Sequence, residues 1–531
     1  MVYLRIKYII GKDRTQTAIF PVTMEQAIDQ DHEVRIIDLF VDSLDVEKMG
    51  FSVDYGENGR PAYHPKDLLK LYIYGYLNRM RSSRELEKET HRNIEVIWLL
   101  KGLSPDHNTI SNFRRDNPKA IKKVFRATVE IAKNFELIGG KLLAGDSTKL
   151  RAQNSKKNNF NPKKIERNLE YIENKLSEYE NQLSAADEDK RELIKQEIEK
   201  HQLRKQAYQN LQKQLEKSGE TQISTSDPES RQMITRNNIT EVAYNVQTTV
   251  DAENNIPIDY KVTNENDSKA MGKMLRRSKT ILRRNDFTGL YDKGYHTGSE
   301  FEIAEKLDIE VMVAVPAVAA NAPDPAYNVE HFRYEESVDY YICPQGALLS
   351  TNGTWYNSKS APFKQYKTPA CKSCPVREKC TTSVRNGKIV QRNKYVKYIE
   401  ANKQRIEANP NYYRRRQAIV EHPFGTIKRQ WGFNYIMTKK TIKRAESDVG
   451  LIFTAYNFRR ILNIIGIEGL RMYFLFVLML KRAFLSSLEA FWQQIIFFTK
   501  TLTQKPNRLI IKIFANFIHE FYAKSNYIGG Y

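Results

Sequence analysis

Two short apolar runs that each end at an aspartate constrain the fold of this chain more than any other feature. Residues 141–152 read KLLAGDSTKLRA and end one run at Asp146, and residues 287–292 read FTGLYD and end the other at Asp292. Short apolar runs bounded by turn residues are typical of buried strands. Because neighbouring strands of one sheet lie about 5 Å apart, we expect the two carboxylates to meet at one sheet edge.

The residues around the second run alternate between strand and helix patterns. Residues 241–263 form two alternating runs joined by AENN, as in a β-hairpin, and residues 268–284 have a helical pattern. After Asp292 come a helical stretch at 300–307 and a buried strand at 309–316. This order predicts a mixed sheet, so the fold class expected for the centre of the chain is α/β. Asp251 and Asp267, which lie outside the two runs, are expected to be turn and helix-capping residues.

The chain before Asp146 is predicted to be mainly helical. Residues 34–45, VRIIDLFVDSLD, suggest a strand-like run, and a helical pattern extends from Pro65 to about Asn117. The last of these helices ends in Arg114 and Arg115 and suits a helix that reads a DNA groove. Small helical bundles without a DNA contact share this pattern. We predict a helix-turn-helix-like domain.

A polar stretch after Asp146 carries a heptad pattern. Its apolar residues alternate steps of four and three: Ile165, Leu169, Ile172, Leu176, Tyr179 and Leu183. A second helical run extends to about Lys217. The two runs predict an antiparallel helical hairpin with arms of about 30 Å or more. The hairpin could pack on itself or join two copies of the protein.

Charge and length narrow the class of protein. The 531 residues exceed one ordinary core, so two or more domains are expected. The 84 Lys and Arg against 63 Asp and Glu give a net charge of +21, which predicts attraction to a polyanion such as nucleic acid.

The most apolar run, residues 472–480, is shorter than the about 20 residues that span a bilayer. No secretory signal is recognisable, so we predict a cytoplasmic protein without a membrane partner.

A third acid, Glu421, lies in QAIVEHPFGTIKRQWGF. Proline is tolerated in the first turn of a helix, so Pro423 predicts that a helix begins near Glu421. Glu421 and Lys428 are seven residues apart and would share a face. Trp431 is expected in the core. Phosphoryl transfer on nucleic acid commonly uses two Mg²⁺ ions about 3.5–4 Å apart, held by carboxylates.

Three blocks in this order, GDSTKLRA, YDKGYHTGSE and VEHPFGTIKRQWGF, resemble those of the DDE transposases of bacterial insertion sequences. RPAYHPKDLLKLYIYGYLNRMRSSRELEKET resembles the N-terminal domain of the same group, and YICPQG…ACKSCPVREKC resembles the insertion that precedes its last acid. The resemblance covers roughly residues 15 to 465. It implies an RNase H-like core.

The resemblance also implies roles for single residues. Asp146, Asp292 and Glu421 would be catalytic and would hold Mg²⁺, with Mn²⁺ as a substitute. Lys428 would contact DNA phosphate. Related enzymes often have an arginine four residues before the glutamate, where this chain has Gln417, and Arg414, Arg415 and Arg416 lie just upstream. These three arginines, with Arg114 and Arg115, are the further DNA-binding candidates.

The only four cysteines fall within 38 residues, which favours a shared purpose. Cys371, Cys374 and Cys380 follow C-x2-C-x5-C, and Cys343 lies upstream. A C-x2-C turn can place two thiolates on one tetrahedral zinc ion, so a structural Zn²⁺ site is one prediction. A reduced cluster without metal is the alternative.

The predicted function is that of a transposase that binds the terminal inverted repeats of its element and catalyses cleavage and strand transfer. Its partners would be double-stranded DNA, both element ends and target, and at least one further copy of the chain at the bacterial nucleoid. The alternatives are an RNase H-like nuclease without strand transfer and a non-catalytic DNA-binding relative. The predicted division is an N-terminal arm (1–60), a helical DNA-binding domain (61–135), a catalytic core (136–160, 231–321 and 400–465), a helical hairpin and linker (161–230), a cysteine-containing insertion (322–399) and an unassigned tail (466–531).

Overall fold

The computed structural model describes residues 23–52, 62–185, 187–235, 239–316, 321–358, 361–383 and 385–485. Residues 1–22 and 53–60 of the predicted N-terminal arm and the tail beyond residue 485 lie outside these ranges. The chain divides into two compact units, one of residues Met1–Val124 with Phe458–Tyr531 and one of Phe125–Asn457.

The described helices are α1 Glu33–Ser43, α2 Val46–Met49, α3 Pro65–Leu77, α4 Ser83–Arg92, α5 Ile94–Leu99, α6 His107–Asp116, α7 Pro118–Asn134, α8 Pro162–Ala185, α9 Glu188–Ser218, α10 Met271–Leu282, α11 Gly298–Lys306, α12 Arg377–Cys380, α13 Val396–Ala408, α14 Pro410–Gly425 and α15 Ile442–Leu485. The described strands are β1 Leu142–Arg151, β2 Asn159–Phe160, β3 Ile223–Ser224, β4 Arg231–Ile234, β5 Thr240–Asp251, β6 Ile256–Thr263, β7 Thr288–Tyr291, β8 Glu310–Val313, β9 Arg333–Glu335, β10 Tyr340–Ile342, β11 Leu348–Ser350, β12 Phe363–Tyr366 and β13 Val390–Asn393.

The described part of the first unit is helical, and its first α-helix corrects the sequence prediction. Residues 34–45 suggested a strand-like run, but residues 34–43 lie in α1. Val34, Ile37 and Val41 recur at helical spacing and are buried on one face of α1, together with Phe40. Burial of this face outweighs the modest preference of β-branched residues for strands. The ring of Phe40 lies 5.1 Å from that of Phe458.

Helix α15 contains a stretch that is long and apolar enough, by length and composition, to cross a membrane. This evidence is weak because core helices of water-soluble proteins pass the same test. Within the second unit, α15 is buried at Val449, Ile452 and Phe453. Gly466, with φ 80° and ψ 166°, interrupts the helical backbone. The cytoplasmic location stays a prediction.

The second unit is built on a mixed sheet, as the sequence predicted. Its strands follow the order β4-β5-β1-β7-β8, and β6 also pairs with β5. Strand β1 is antiparallel to β5 and parallel to β7, and β7 is parallel to β8. Helix α14 covers one face of this sheet, where Ile419 and Val420 join a core cluster with Leu142, Ala144 and Leu290.

Two insertions leave this sheet. The heptad run forms α8, which packs on α9 as the predicted hairpin. Ile165, Ile172 and Leu215 of this hairpin are buried. The second insertion forms a sheet of order β11-β10-β9 and a separate β12-β13 pair. Its core contains Phe332, Tyr341, Leu349, Tyr366 and Val390.

Candidate active site beside β1 and β7

The register of β1 and β7 places Asp146 beside Asp292. Leu142 pairs with Thr288 and Ala144 with Leu290 in the parallel ladder, and each aspartate lies two residues beyond the second pair. Side chains alternate between the faces of a strand, so both carboxylates project to the same face as Ala144 and Leu290. That is the face covered by α14. Asp292 lies close enough to Asp146 for its charge to act on the Asp146 carboxyl.

The end of β1 differs from the prediction. The strand was expected to stop at Asp146, but it continues to Arg151 because its antiparallel pairing with β5 extends to Ala243. Asp146 lies instead where the shorter parallel ladder with β7 ends. Strand β7 does stop at Tyr291, and the Asp292 carboxylate accepts a hydrogen bond from the backbone N–H of Gly294 at 2.8 Å.

Arg416 neutralises Asp146 in this structure. Its guanidinium donates to the Asp146 carboxylate at 3.0 Å, and only 8% of Arg416 is exposed. Burial raises the pKa of Asp146, Arg416 opposes that rise, and the nearby charge of Asp292 adds to it. The sequence could not distinguish among the three arginines of α14. Arg416 reaches the acids, whereas Arg414 and Arg415 are exposed.

Glu421 is not part of the acidic pair. It follows Val420 on α14, so it lies on the helix that covers the acids, but its side chain is exposed. Among the described residues, no three His, Cys, Asp or Glu side chains are already grouped as a metal site. The structure therefore brings together two of the three predicted ligands.

The helix that carries Glu421 begins earlier than predicted. Helix α14 starts at Pro410, which occupies its first turn, and Pro423 lies inside it. One turn of π-helix, Thr426–Gln430, follows. Proline within a helix leaves the carbonyl four residues earlier, here that of Ile419, without its helical donor.

Lys428 lies against β1 close to Asp146. Its ammonium group donates to the hydroxyl of Thr148 at 3.1 Å and to the carbonyl of Lys149 at 3.4 Å. Thr148 lies two residues after Asp146 on the same face of β1. A cation is thus held beside the acidic pair by the residues that follow the first acid.

Gly145 and Tyr291, which precede the two aspartates, interlock on the opposite face of the sheet. A Cβ atom on Gly145 would lie 1.9 Å from Cε1 of Tyr291. Tyr291 is 2% exposed, and its ring lies 5.0 Å from that of Tyr295. Sequence reasoning missed this contact, although a glycine directly before a strand aspartate is a signal for close packing.

Asp267 is a further acid of this region that the sequence analysis misjudged. It was expected to cap a helix, but Asn266 provides that cap. The Asp267 carboxylate instead accepts from the side-chain amides of Asn245 at 2.8 Å and Gln247 at 2.6 Å, and pairs with Lys149 at 3.3 Å. Burial raises the pKa of Asp267, but Lys149 and these donors outweigh burial and hold the pKa below its ordinary value.

Replacing Asp267 with asparagine should lower the stability of the second unit by about 1–3 kcal/mol, because buried donors would lose their charged acceptor. Thermal unfolding of the full chain measures this. Glu265→Gln is the matched control, since the Glu265 carboxylate is exposed and lies 4.0 Å from Lys273. An Asp267→Asn midpoint equal to that of the control would contradict the structural role.

The remaining residues singled out in the sequence differ in their exposure and contacts. Arg114 is 3% exposed and donates to Tyr76 and to the Arg81 carbonyl, so its side chain is enclosed and cannot reach DNA in this structure. Arg115 is 41% exposed and pairs with Asp116.

Trp431 is partly buried, with its ring 5.5 Å from that of Phe433. Asp251 accepts from backbone N–H groups of a turn, as expected.

Comparison with known families matches two parts of the chain. Residues 22–116 match the family "Transposase domain (DUF772)", and residues 342–462, which include Glu421 and Lys428, match the family "Transposase DDE domain". The chain has no match among the curated proteins.

Two solved structures are similar at low identity. A piggyBac transposase synaptic complex with hairpin DNA is 8% identical, with a TM-score of 0.29, 90% of this chain and 85% of that chain covered. A pre-cleavage Mos1 transpososome is 12% identical, with a TM-score of 0.14, 50% of this chain and 64% of that chain covered. Superposition this poor supports no statement about the fold. The two family matches support a DDE transposase of the insertion-sequence type.

Proposed function

We propose that this transposase cuts and joins DNA by metal-dependent phosphoryl transfer beside β1 and β7, in an RNase H-like core. The observation that carries the proposal is the position of the two aspartates. Ala144 pairs with Leu290, and Asp146 and Asp292 each follow by two residues on the same sheet face. The strand arrangement, with β1 antiparallel to β5 and parallel to β7, supports the fold assignment. The core would comprise residues 136–160, 231–321 and 400–465.

The donor set fits Mg²⁺. Asp146 and Asp292 supply hard carboxylate oxygens, and Glu421 would supply a third after α14 adjusts. When bound, two Mg²⁺ ions would activate the attacking oxygen and stabilise the leaving oxygen. Arg416 forms an ion pair with Asp146. A bound Mg²⁺ ion would replace Arg416 as the positive partner of Asp146. Lys428, held against β1 at Thr148, would bind a DNA phosphate next to the reacting one.

The rest of the chain would hold DNA and a second copy. The helical residues 61–135 would bind the terminal inverted repeats, with Arg115 among the contacts, and Arg414 and Arg415 are exposed on α14 for the same use. The hairpin of α8 and α9 would join protomers, and its exposed Tyr171, Leu193 and Leu203 support this role. The remaining insertion, residues 322–399, lies between the second and third acids.

A plasmid carrying the DNA that flanks the gene tests the reaction. The full chain is incubated with it in Mg²⁺, Mn²⁺ or chelator, and nicked, linear and joined products are measured. Metal-dependent cleavage followed by joining of the cut ends supports the proposal. Cleavage without joining favours a nuclease, and end binding without cleavage favours a non-catalytic protein, so either result overturns it.

Glu421→Gln tests the third ligand separately. We expect metal-dependent cleavage to fall by about 10²-fold or more, because a neutral amide is a poor substitute for a charged Mg²⁺ ligand. Glu407→Gln is the matched control, since Glu407 is exposed on neighbouring α13 and pairs with Lys403 at 3.8 Å. Cleavage by Glu421→Gln at the rate of this control would remove Glu421 from the site.

A further inference from the structure

The four cysteines of the chain line one small cavity in the second insertion. Cys343, Cys371, Cys374 and Cys380 surround a space of about 30 Å³ that is also lined by Phe332 and Lys388. A space of this size holds one ion or one water molecule and no larger ligand. Cys343 lies 28 positions before Cys371, so folding, and not sequence proximity alone, brings it to the other three cysteines.

Cys343 lies on a tight turn. The Cys343 carbonyl accepts from the N–H of Gly346 at 2.8 Å, and its N–H donates to the carbonyl of Ala347 at 3.0 Å, in the turn between β10 and β11. Gly346 has φ +79°, a conformation that glycine adopts without strain. Turns of this kind present a side chain inward from a fixed backbone position.

Two of the other three cysteines lie on turns, and the third ends a short helix. A short 3₁₀ turn, Pro369–Lys372, contains Cys371, and the Cys374 carbonyl accepts from the N–H of Arg377 at 3.2 Å. Cys380 is the last residue of α12. The spacing C-x2-C therefore falls on a turn, which is the arrangement by which paired thiolates reach one tetrahedral ion.

The segment needs an additional source of stability. Its strands β9 to β13 are three or four residues long, and its described core cluster is Phe332, Tyr341, Leu349, Tyr366 and Val390, against which Cys343 and Cys380 pack. Cores this small rarely stabilise a fold alone, and a structural metal is a common supplement.

A buried ammonium group lies beside the four cysteines. Lys388 is 5% exposed and is held by the carbonyls of Asn321 and Cys380 at 2.6 and 3.3 Å. A buried ammonium group beside the cluster offsets part of the negative charge of four thiolates on a divalent ion.

We propose that Cys343, Cys371, Cys374 and Cys380 bind one Zn²⁺ ion as four thiolates, and that this ion holds the insertion folded. The described side chains are not yet grouped at coordinating distances, so the sulfurs must move. Changing χ1 between staggered positions moves a sulfur by roughly 3 Å, and each Zn–S bond would be about 2.3 Å long. The site is distinct from the acids beside β1.

Metal content of the full chain tests the proposal. Protein purified under reducing conditions, supplied with Zn²⁺ and freed of excess metal, should retain one Zn²⁺ per chain by elemental analysis. Replacement by Co²⁺ should give thiolate-to-cobalt charge-transfer absorption and the intense d–d bands of a tetrahedral site. This measurement needs no variant, so it remains informative if cysteine variants fail to fold.

Variants then locate the ion. Cys374→Ser should lose the zinc, whereas Ser373→Ala, an exposed neighbour on the same turn, should keep it. Asp292→Asn should also keep it, which separates this site from the proposed catalytic one. Wild-type protein that retains no zinc, zinc that persists in Cys374→Ser, or fewer than four free thiols in freshly purified denatured protein would each overturn the proposal.

Discussion

Asp292→Asn is expected to lower metal-dependent DNA cleavage by about 10³-fold or more while leaving DNA binding within about twofold of wild type. The substitution keeps the size of the side chain and removes the charge that would hold the metal next to Asp146. Loss of metal stabilisation of the transition state is worth several kcal/mol, and each 1.4 kcal/mol is a factor of ten in rate. Cleavage of plasmid carrying the flanking DNA measures the first effect, and gel retardation measures the second.

The matched control is Asp286→Asn. Asp286 precedes the same strand, β7, at its opposite end and is paired on the surface with Arg284 and Lys141. The Asp286→Asn variant should cleave DNA at nearly the wild-type rate. If Asp292→Asn binds DNA and cleaves it as fast as Asp286→Asn does, the acidic pair is not the catalytic site.

Gly145→Ala is expected to destabilise the second unit by about 2–4 kcal/mol, enough to reduce the yield of folded protein. The added Cβ would stand 1.9 Å from Cε1 of Tyr291, and the buried ring has no free space to enter. Loss of the register between β1 and β7 would also separate Asp146 from Asp292, so cleavage should fall with stability. Thermal unfolding of the full chain measures the effect.

Two further variants make this prediction specific. Gly425→Ala places a Cβ where no atom lies within 4 Å, in a helical residue, and should be neutral or slightly stabilising. Combining Gly145→Ala with Tyr291→Leu should recover part of the stability lost by Gly145→Ala, because the obstructing ring is gone. No recovery in the double variant would show that the clash is not the cause.

Several residues of the candidate site could not have been predicted from the sequence. Arg416 and Asp146 are 270 positions apart and form an ion pair that depends on how α14 lies on the sheet. Asp267 fits the pattern of a helix cap, yet it accepts from Asn245 and Gln247 on a neighbouring strand. Arg114 has a sequence position suited to DNA contact, but packing against Tyr72 and Tyr76 encloses it.

The sequence by itself determined the mixed sheet, the helical hairpin and the positions of the two aspartates, because these follow from apolar periodicity and turn residues over short stretches of chain. It did not determine α1, where helical burial overcame β-branched composition, or the start of α14, where the first turn belongs to Pro410 and not to the residues around Pro423. Only the tertiary structure decided that Asp146 and Asp292 share a face, that Arg416 and not its neighbours reaches them, and that the four cysteines line one cavity. These arrangements depend on strand register and on packing between distant segments, and local patterns carry no information about either.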